Sequence, residues 1–345
     1  MTETTKLLVE AVNSKQFIED NYTTLLFKTG YAEEYQFSLM LPTKWKAYPQ
    51  SVTQYPTEEM PVGLIGRASS NDSRALALAE VDVWCALIPR ELNPTDWLFR
   101  WLETQDYQLQ DSRVIPSVYG QLGDCVATKI IDEKQHTCRL FTIKDKNRIF
   151  LFIGKTPTEH YKAHEETFLL ALQTLTLLHP TKELYAEPFS EEQVSAPYQA
   201  ILRFPKFWEK KVETAEPKDE MSWSFMNKEG GILLGQMNVV LLSSALDLSS
   251  ADLLNTWIDK LKANGLTVRG DAKTAKTIKA ENKEIITWQG EASSEGKKVE
   301  LQSNIIVHEK GLLMLNLITS PASDAYENWT VNRRAYEILY NTVLY

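Results

Sequence analysis

The densest run of side chains with chemical potential is His160-Tyr161-Lys162-Ala163-His164-Glu165-Glu166. Two histidines four residues apart share one face of a helix and can meet a single metal ion. A hydrolytic zinc site of this kind also needs a glutamate between them as base, and that HExxH order is absent. The matching region later in the chain carries Ser323, Asp324 and Asn328 instead. The run therefore reads as a solvated first helical turn. Cys85 and His136 suggest a thiol–imidazole dyad, but both fall in strand patterns, where a cysteine is a small buried hydrophobe. Gly230-Gly231 stands alone before a strand and reads as a turn, not a phosphate loop. No serine lies in a nucleophile-elbow pattern. The sequence thus nominates no catalytic, cofactor-binding or metal-ligating residue, and we expect neither cofactor nor metal.

Binding chemistry is better represented. Two long strands are predicted, residues 75–87 and 231–243. Their odd positions, Ala77, Ala79, Val81, Val83, Cys85 and Leu233, Gly235, Met237, Val239, Leu241, suit a face onto which a helix packs. Their even positions include Leu78, Glu80, Asp82, Trp84 and Leu234, Gln236, Asn238, Val240. An antiparallel sheet often leaves one face to solvent. Leu78, Trp84, Leu234 and Val240 are too apolar for a wholly solvated face, and an apolar surface with a few placed polar groups has the composition of a binding groove. These eight positions are the candidate partner-binding residues, unless the apolar flanks are covered by the other copy.

The elements that must position them repeat. Tyr35-Gln36-Phe37-Ser38-Leu39-Met40-Leu41-Pro42-Thr43-Lys44-Trp45 recurs as Tyr198-Gln199-Ala200-Ile201-Leu202-Arg203-Phe204-Pro205-Lys206-Phe207-Trp208. Each is a period-2 strand that Pro42 or Pro205 ends, because proline cannot donate to a ladder. A helix follows each long strand: Asn93 and Pro94 open the first, with Trp97, Leu98, Trp101 and Leu102 as its stripe, and Ser249 or Ser250 caps the second, with Leu254, Trp257 and Leu261. Asp96, Leu98 and Trp101 match Asp252, Leu254 and Trp257. Three strands come next (about 122–131, 136–144, 148–154, then 284–291, 298–308, 312–319), and tight turns predict antiparallel hairpins. Pro157 and Pro321 precede a long closing amphipathic helix in each copy. Trp101 and Trp257 read as core anchors; Trp84, Trp223 and Trp288 are candidates for an interface.

The expected domains are an N-terminal extension (1–34), a first repeat (35–179), a linker rich in proline and glutamate (180–197) and a second repeat (198–345). Residues 3–20 predict a helix and 22–28 a strand, with no counterpart before the second copy. Strands with helices gathered on one face argue an α+β fold. The chain has 345 residues, 43% of them hydrophobic, enough for two cores. Net charge is −9 and is shared evenly by the halves, so no basic footprint for nucleic acid exists. No apolar run approaches a membrane span, and the N-terminus does not read as a secretion signal. Three cysteines without metal-type spacing argue against a disulfide framework and for a reducing cytoplasm.

The Pro-x-x-Trp opening, one middle helix, an antiparallel meander and a long closing helix resemble the Mog1/PsbP-like fold, which DcrB-like proteins and the effector-associated chaperones of type VI secretion share. The resemblance covers about 35–179 and 198–345; its matched residues, Pro42/Trp45 and Pro205/Trp208, are structural. It implies a cytoplasmic, non-enzymatic chaperone or adaptor in which two fused repeats form a single-chain pseudo-dimer around an apolar segment of a client protein. The alternatives are an immunity-type protein or other interaction module, with a polar, acidic docking surface, and, least favoured, an enzyme with convergent titratable groups.

Overall fold

The computed structural model describes residues 5–28, 32–48, 53–70, 78–194, 200–215, 220–243, 249–269, 276–280, 283–294, 296–308 and 311–344. The chain forms two compact units, residues 1–187 and 188–345. Both are α+β, dominated by antiparallel sheet.

Unit 1 runs α1 (Lys15–Asn21), β1 (Tyr22–Phe27), β2 (Phe37–Pro42), β3 (Lys46–Ala47), β4 (Val62–Ser69), β5 (Glu80–Leu87), α2 (Pro94–Thr104), β6 (Gln108–Ser117), β7 (Gly120–Ile131), β8 (Lys134–Asp145), β9 (Arg148–Pro157), α3 (Tyr161–Thr174) and β10 (Thr176–Leu177). Its large sheet has the order β3-β4-β5-β9-β8-β7-β6, and β1-β2-β10 form a small sheet beside it. The alternation read in β5 sorts its side chains as expected. Val81, Val83 and Cys85 join Phe150 and Phe152 of β9, and this face packs against Phe37 and Leu39 of β2 and Phe168 and Leu172 of α3. Gly154 lets α3 sit this close: a Cβ there would lie 2.4 Å from the Phe168 ring. The opposite face, with Cys125, Cys138, Leu140, Leu151 and Ile153, takes Leu98 and Leu102 of α2.

Unit 2 runs β11 (Phe189–Val194), β12 (Ala200–Pro205), β13 (Glu209–Ala215), β14 (Glu220–Glu229), β15 (Ile232–Ser243), α4 (Ser250–Ala263), β16 (Thr267–Arg269), β17 (Lys276–Ala280), β18 (Lys283–Ser294), β19 (Lys297–His308), β20 (Gly311–Thr319) and α5 (Ala322–Leu344), the last broken at Ala325. The large sheet has the order β13-β14-β15-β20-β19-β18-β16, with β17 also on β18, and β11 pairs β12. The strand order therefore matches that of unit 1. Met237, Val239 and Leu241 face Leu202, Phe204 and α5. α4 lies on the other face over Trp288, Ile305 and Met314. Its start is fixed by a capping box in which Ser249 and Asp252 satisfy each other's backbone N–H groups.

Several expectations need correction. Residues 189–194, read as linker, form β11, and Phe189 opposes Pro205 as Tyr22 opposes Pro42. The strand before the first copy thus has a counterpart after all. Its polar alternation conceals it, because β11 is held by cross-strand pairs such as Glu191–Arg203. The helix expected over 3–20 is confined to Lys15–Asn21 among the described residues; residues 5–12 form neither helix nor strand. Pro94 does open α2, but the Asn93 side chain accepts from Gln121 N–H instead of capping. A further strand, β4, precedes the expected long strand of the first repeat. Trp223 and Trp288 are fully buried core, not interface, and Trp101 is only half-buried. Residues 75–77 of the first long strand, Tyr198-Gln199 and the 309–310 turn lie outside the described residues.

Candidate functional site

Glu80, Asp82 and Trp84 share one face of β5, and Leu78 lies in the bend that precedes the strand. The face is not the open polar-centred surface that the pattern suggests. Asp82 is 3% exposed. Arg67, opposite it on β4, donates to both Asp82 oxygens, with Nη2 2.8 Å from Oδ2. Lys155 of β9 reaches Asp82 Oδ2 at 2.7 Å and Glu80 Oε2 at 3.1 Å. Burial alone would raise the Asp82 carboxyl; the hydrogen bond and charge of Arg67 and the charge of Lys155 outweigh it and hold the group below its ordinary value. Two carboxylates and two cations thus neutralise one another within the sheet.

Beside this cluster lies a groove of about 480 Å³. Trp84, Trp101 from the end of α2, Tyr107 and Ile153 line it together with Ile130, which is 64% exposed. The aromatic wall is continuous: Trp84 and Trp101 ring centroids are 6.1 Å apart, and Trp97 stacks on Trp101 at 5.4 Å. Lys129 lies over the Tyr107 ring at 4.8 Å. The Trp101 indole N–H is buried and, among the described residues, has no hydrogen-bond partner. A second hollow of about 370 Å³ shares Lys129 and Ile130 and extends the surface toward β6. Leu78, 53% exposed, lies before β5 and outside the groove lining.

The four positions in unit 2 are arranged differently. Asn238 Oδ1 accepts from Ser224 Oγ at 2.9 Å and from Gln236 Nε2 at 2.7 Å. Val240 packs under α4, and Leu234 is half-buried near the hairpin turn. The next residue in the row is Asn316, whose amide is buried and unpartnered among the described residues, as is the hydroxyl of Ser303 beyond it. These correspond to Ile153 and Leu140 in unit 1 by register. The sequence signal for them was two polar residues at inward positions of predicted strands.

The chemical runs disperse. His164 packs between the Trp45 and Phe168 rings, 6.5 and 6.3 Å away, and burial together with His160 lowers its basicity. Among the described residues, no group of three or more His, Cys, Asp or Glu side chains is placed to hold a metal ion. Cys85 is buried opposite Phe150, and burial pushes its thiol up; His136 lies at the other end of β8, bonded to the Lys134 carbonyl. Among the described residues no helix is long and apolar enough to cross a membrane.

No protein-family model matches the chain. No curated protein matches it. Solved structures share parts of the architecture. Cyanobacterial PsbP (CyanoP) from Synechocystis sp. PCC 6803 aligns at 9% identity and TM-score 0.34, over 46% of this chain and 92% of its own. The type VI secretion immunity protein TplEi from Pseudomonas aeruginosa, complexed with an "L" peptide, aligns at 10% identity and TM-score 0.23, over 91% and 97%. A chain of the Tle4–Tli4 complex aligns at 10% identity and TM-score 0.21, over 84% and 98%. Likeness at these scores carries no functional argument, so the site has to be read from its own geometry.

Proposed function

We propose that the chain is a non-enzymatic protein-binding module, an adaptor or chaperone that takes an apolar segment of a client protein in the groove beside Trp84 and Trp101. One observation carries this reading: an open aromatic wall stands next to a charged floor whose charges are already paired. An apolar side chain can be buried there without stranding a charge, for about 25 cal/mol per Å² of area removed from water. An immunity-type docking module is the second reading. It calls for an exposed acidic surface, and the pairing of Glu80 and Asp82 with Arg67 and Lys155 favours the first.

In this reading the chain comprises two Mog1/PsbP-like repeats, 35–179 and 198–345, working as a monomer in the cytoplasm. The client sits on unit 1 at the end of the strand face, not across the polar centre of Glu80 and Asp82. The test is affinity purification from the native cell with the full chain and with Ile130→Asp, Leu78→Arg and Leu234→Arg, each melted in parallel. Loss of the client with Ile130→Asp at unchanged melting temperature supports the groove. Undiminished recovery with that variant refutes it. Trp101→Phe, which trims the indole to a phenyl ring and thins the aromatic wall, should weaken a purified client roughly two- to tenfold.

A further inference from the structure

The N-terminal segment shows how unit 1 holds a stretch of main chain that belongs to no helix or strand. Leu7 N–H donates to Asp111 Oδ2 at 2.9 Å, and Arg139 Nη1 donates to the Leu8 carbonyl. Val12 and Asn13 N–H groups both donate to Glu166 of α3. The Leu7 and Leu8 side chains pack on the core of unit 1. Two of these anchors belong to one row of the sheet: Val81, Gly154, Arg139, Val126 and Asp111 lie in register across β5, β9, β8, β7 and β6. Arg139 is itself fixed by a fully buried pair with Asp124, so the row is a rigid reader of main chain.

The same row exists in unit 2. From Met237, the partner of Val81 by repeat position, it continues through Leu317, Gln302 and Gln289. Those last three residues line a cleft of about 410 Å³, walled by Trp329 and Arg333 of α5. Trp329 Nε1 is held by Glu300 at 2.7 Å, and the Arg333 guanidinium lies 4.3 Å above its ring. Arginine and valine in the occupied row become two glutamines here. Each primary amide both donates and accepts, which is the complement of a peptide group. The half-buried Trp329 ring, with the buried Leu317 beneath, gives the cleft its apolar lining.

We propose that this cleft binds an extended peptide segment of a partner protein, with Gln302 and Gln289 reading its main chain and Leu317 and Trp329 taking an apolar side chain. A second copy's N-terminus is the poorer occupant. That segment is already tied to its own unit by four main-chain hydrogen bonds, which a swap would break. This site is separate from the Trp84–Trp101 groove and stands without it.

The probe is a phage-displayed library of random 12-residue peptides selected on the immobilised full chain. Selected peptides are then synthesised with a fluorophore and titrated by anisotropy. The expected result is at least one sequence whose affinity falls tenfold or more with Gln302→Trp, which fills the cleft, and is unchanged by Ile130→Asp. Should Gln302→Trp fail to melt cooperatively, the exposed Arg333→Glu and the smaller Gln289→Ala replace it, with a threefold or greater loss expected from each. Peptides sensitive to Ile130→Asp alone would overturn this proposal while supporting the groove. A selection that yields no binder overturns it as well.

Discussion

Asp82→Asn isolates the electrostatics of the candidate site, and the chain supplies its own control. Asp82 is buried between Arg67 and Lys155, whose side chains keep only 13% and 14% of their exposure. Removing the carboxylate charge strands the guanidinium. Breaking a buried pair from one side costs about 3–5 kcal/mol. Lys155 keeps Glu80, and both cations retain some solvent, so about 2–4 kcal/mol is the expected loss. Unit 2 holds asparagine at this position without that penalty, because its neighbours changed too: Ser224 stands in the place of Arg67, and Ile318 in that of Lys155. Arg67→Ser/Asp82→Asn/Lys155→Ile, with Glu80→Gln after Gln236, should therefore recover most of the loss. Urea unfolding at pH 7 with tryptophan fluorescence measures both, with the slope checked so that a changed midpoint reports stability. A single variant within about 1 kcal/mol of wild type, or a combined variant less stable than the single one, would refute the reasoning.

Trp208 is buried at the turn after Pro205, so Trp208→Ala should lower stability by about 3–5 kcal/mol in the same urea experiment, and a smaller loss at Trp208 than at the exposed Phe207 would be inconsistent with a core role. His164 is less basic than its ordinary value of 6.5 because it is buried, with a smaller repulsion from His160. The unfolded chain then takes up the proton first as pH falls; the stability owed to neutral His164 is complete above about 6.5 and is lost as pH drops through the lower folded value. His164→Phe keeps the contacts to Trp45 and Phe168 and should flatten the melting temperature between pH 7 and 5, whereas an unchanged slope assigns the dependence to other groups.

Local physics was legible in the chain. Period-2 alternation sorted the two faces of β5 and β15 and told which of their residues face the long closing helix, because a pleated strand can point a side chain only one of two ways. Proline ended β2 and β12, and Ser249 with Asp252 fixed the start of α4, since these are interactions within a few residues. Repeated spacing was visible in the sequence, and the large sheets of the two units share one strand order. What the sequence could not fix were the partners of polar residues. Arg67 and Lys155 come to Asp82 from 15 and 73 positions away, so an alternating Leu-Glu-Asp-Trp face reads as half solvated until the ladder brings the cations over it. β11 reads as linker for the same reason: its glutamates become strand residues only once Arg203, Lys210 and Trp223 stand opposite. The N-terminal segment offers a few leucines and no motif. Its course is tied down by Asp111, Arg139 and Glu166, more than a hundred residues further on. Spacing determines elements because their geometry is periodic, whereas pairing across the sheet is decided only when distant strands settle into one register.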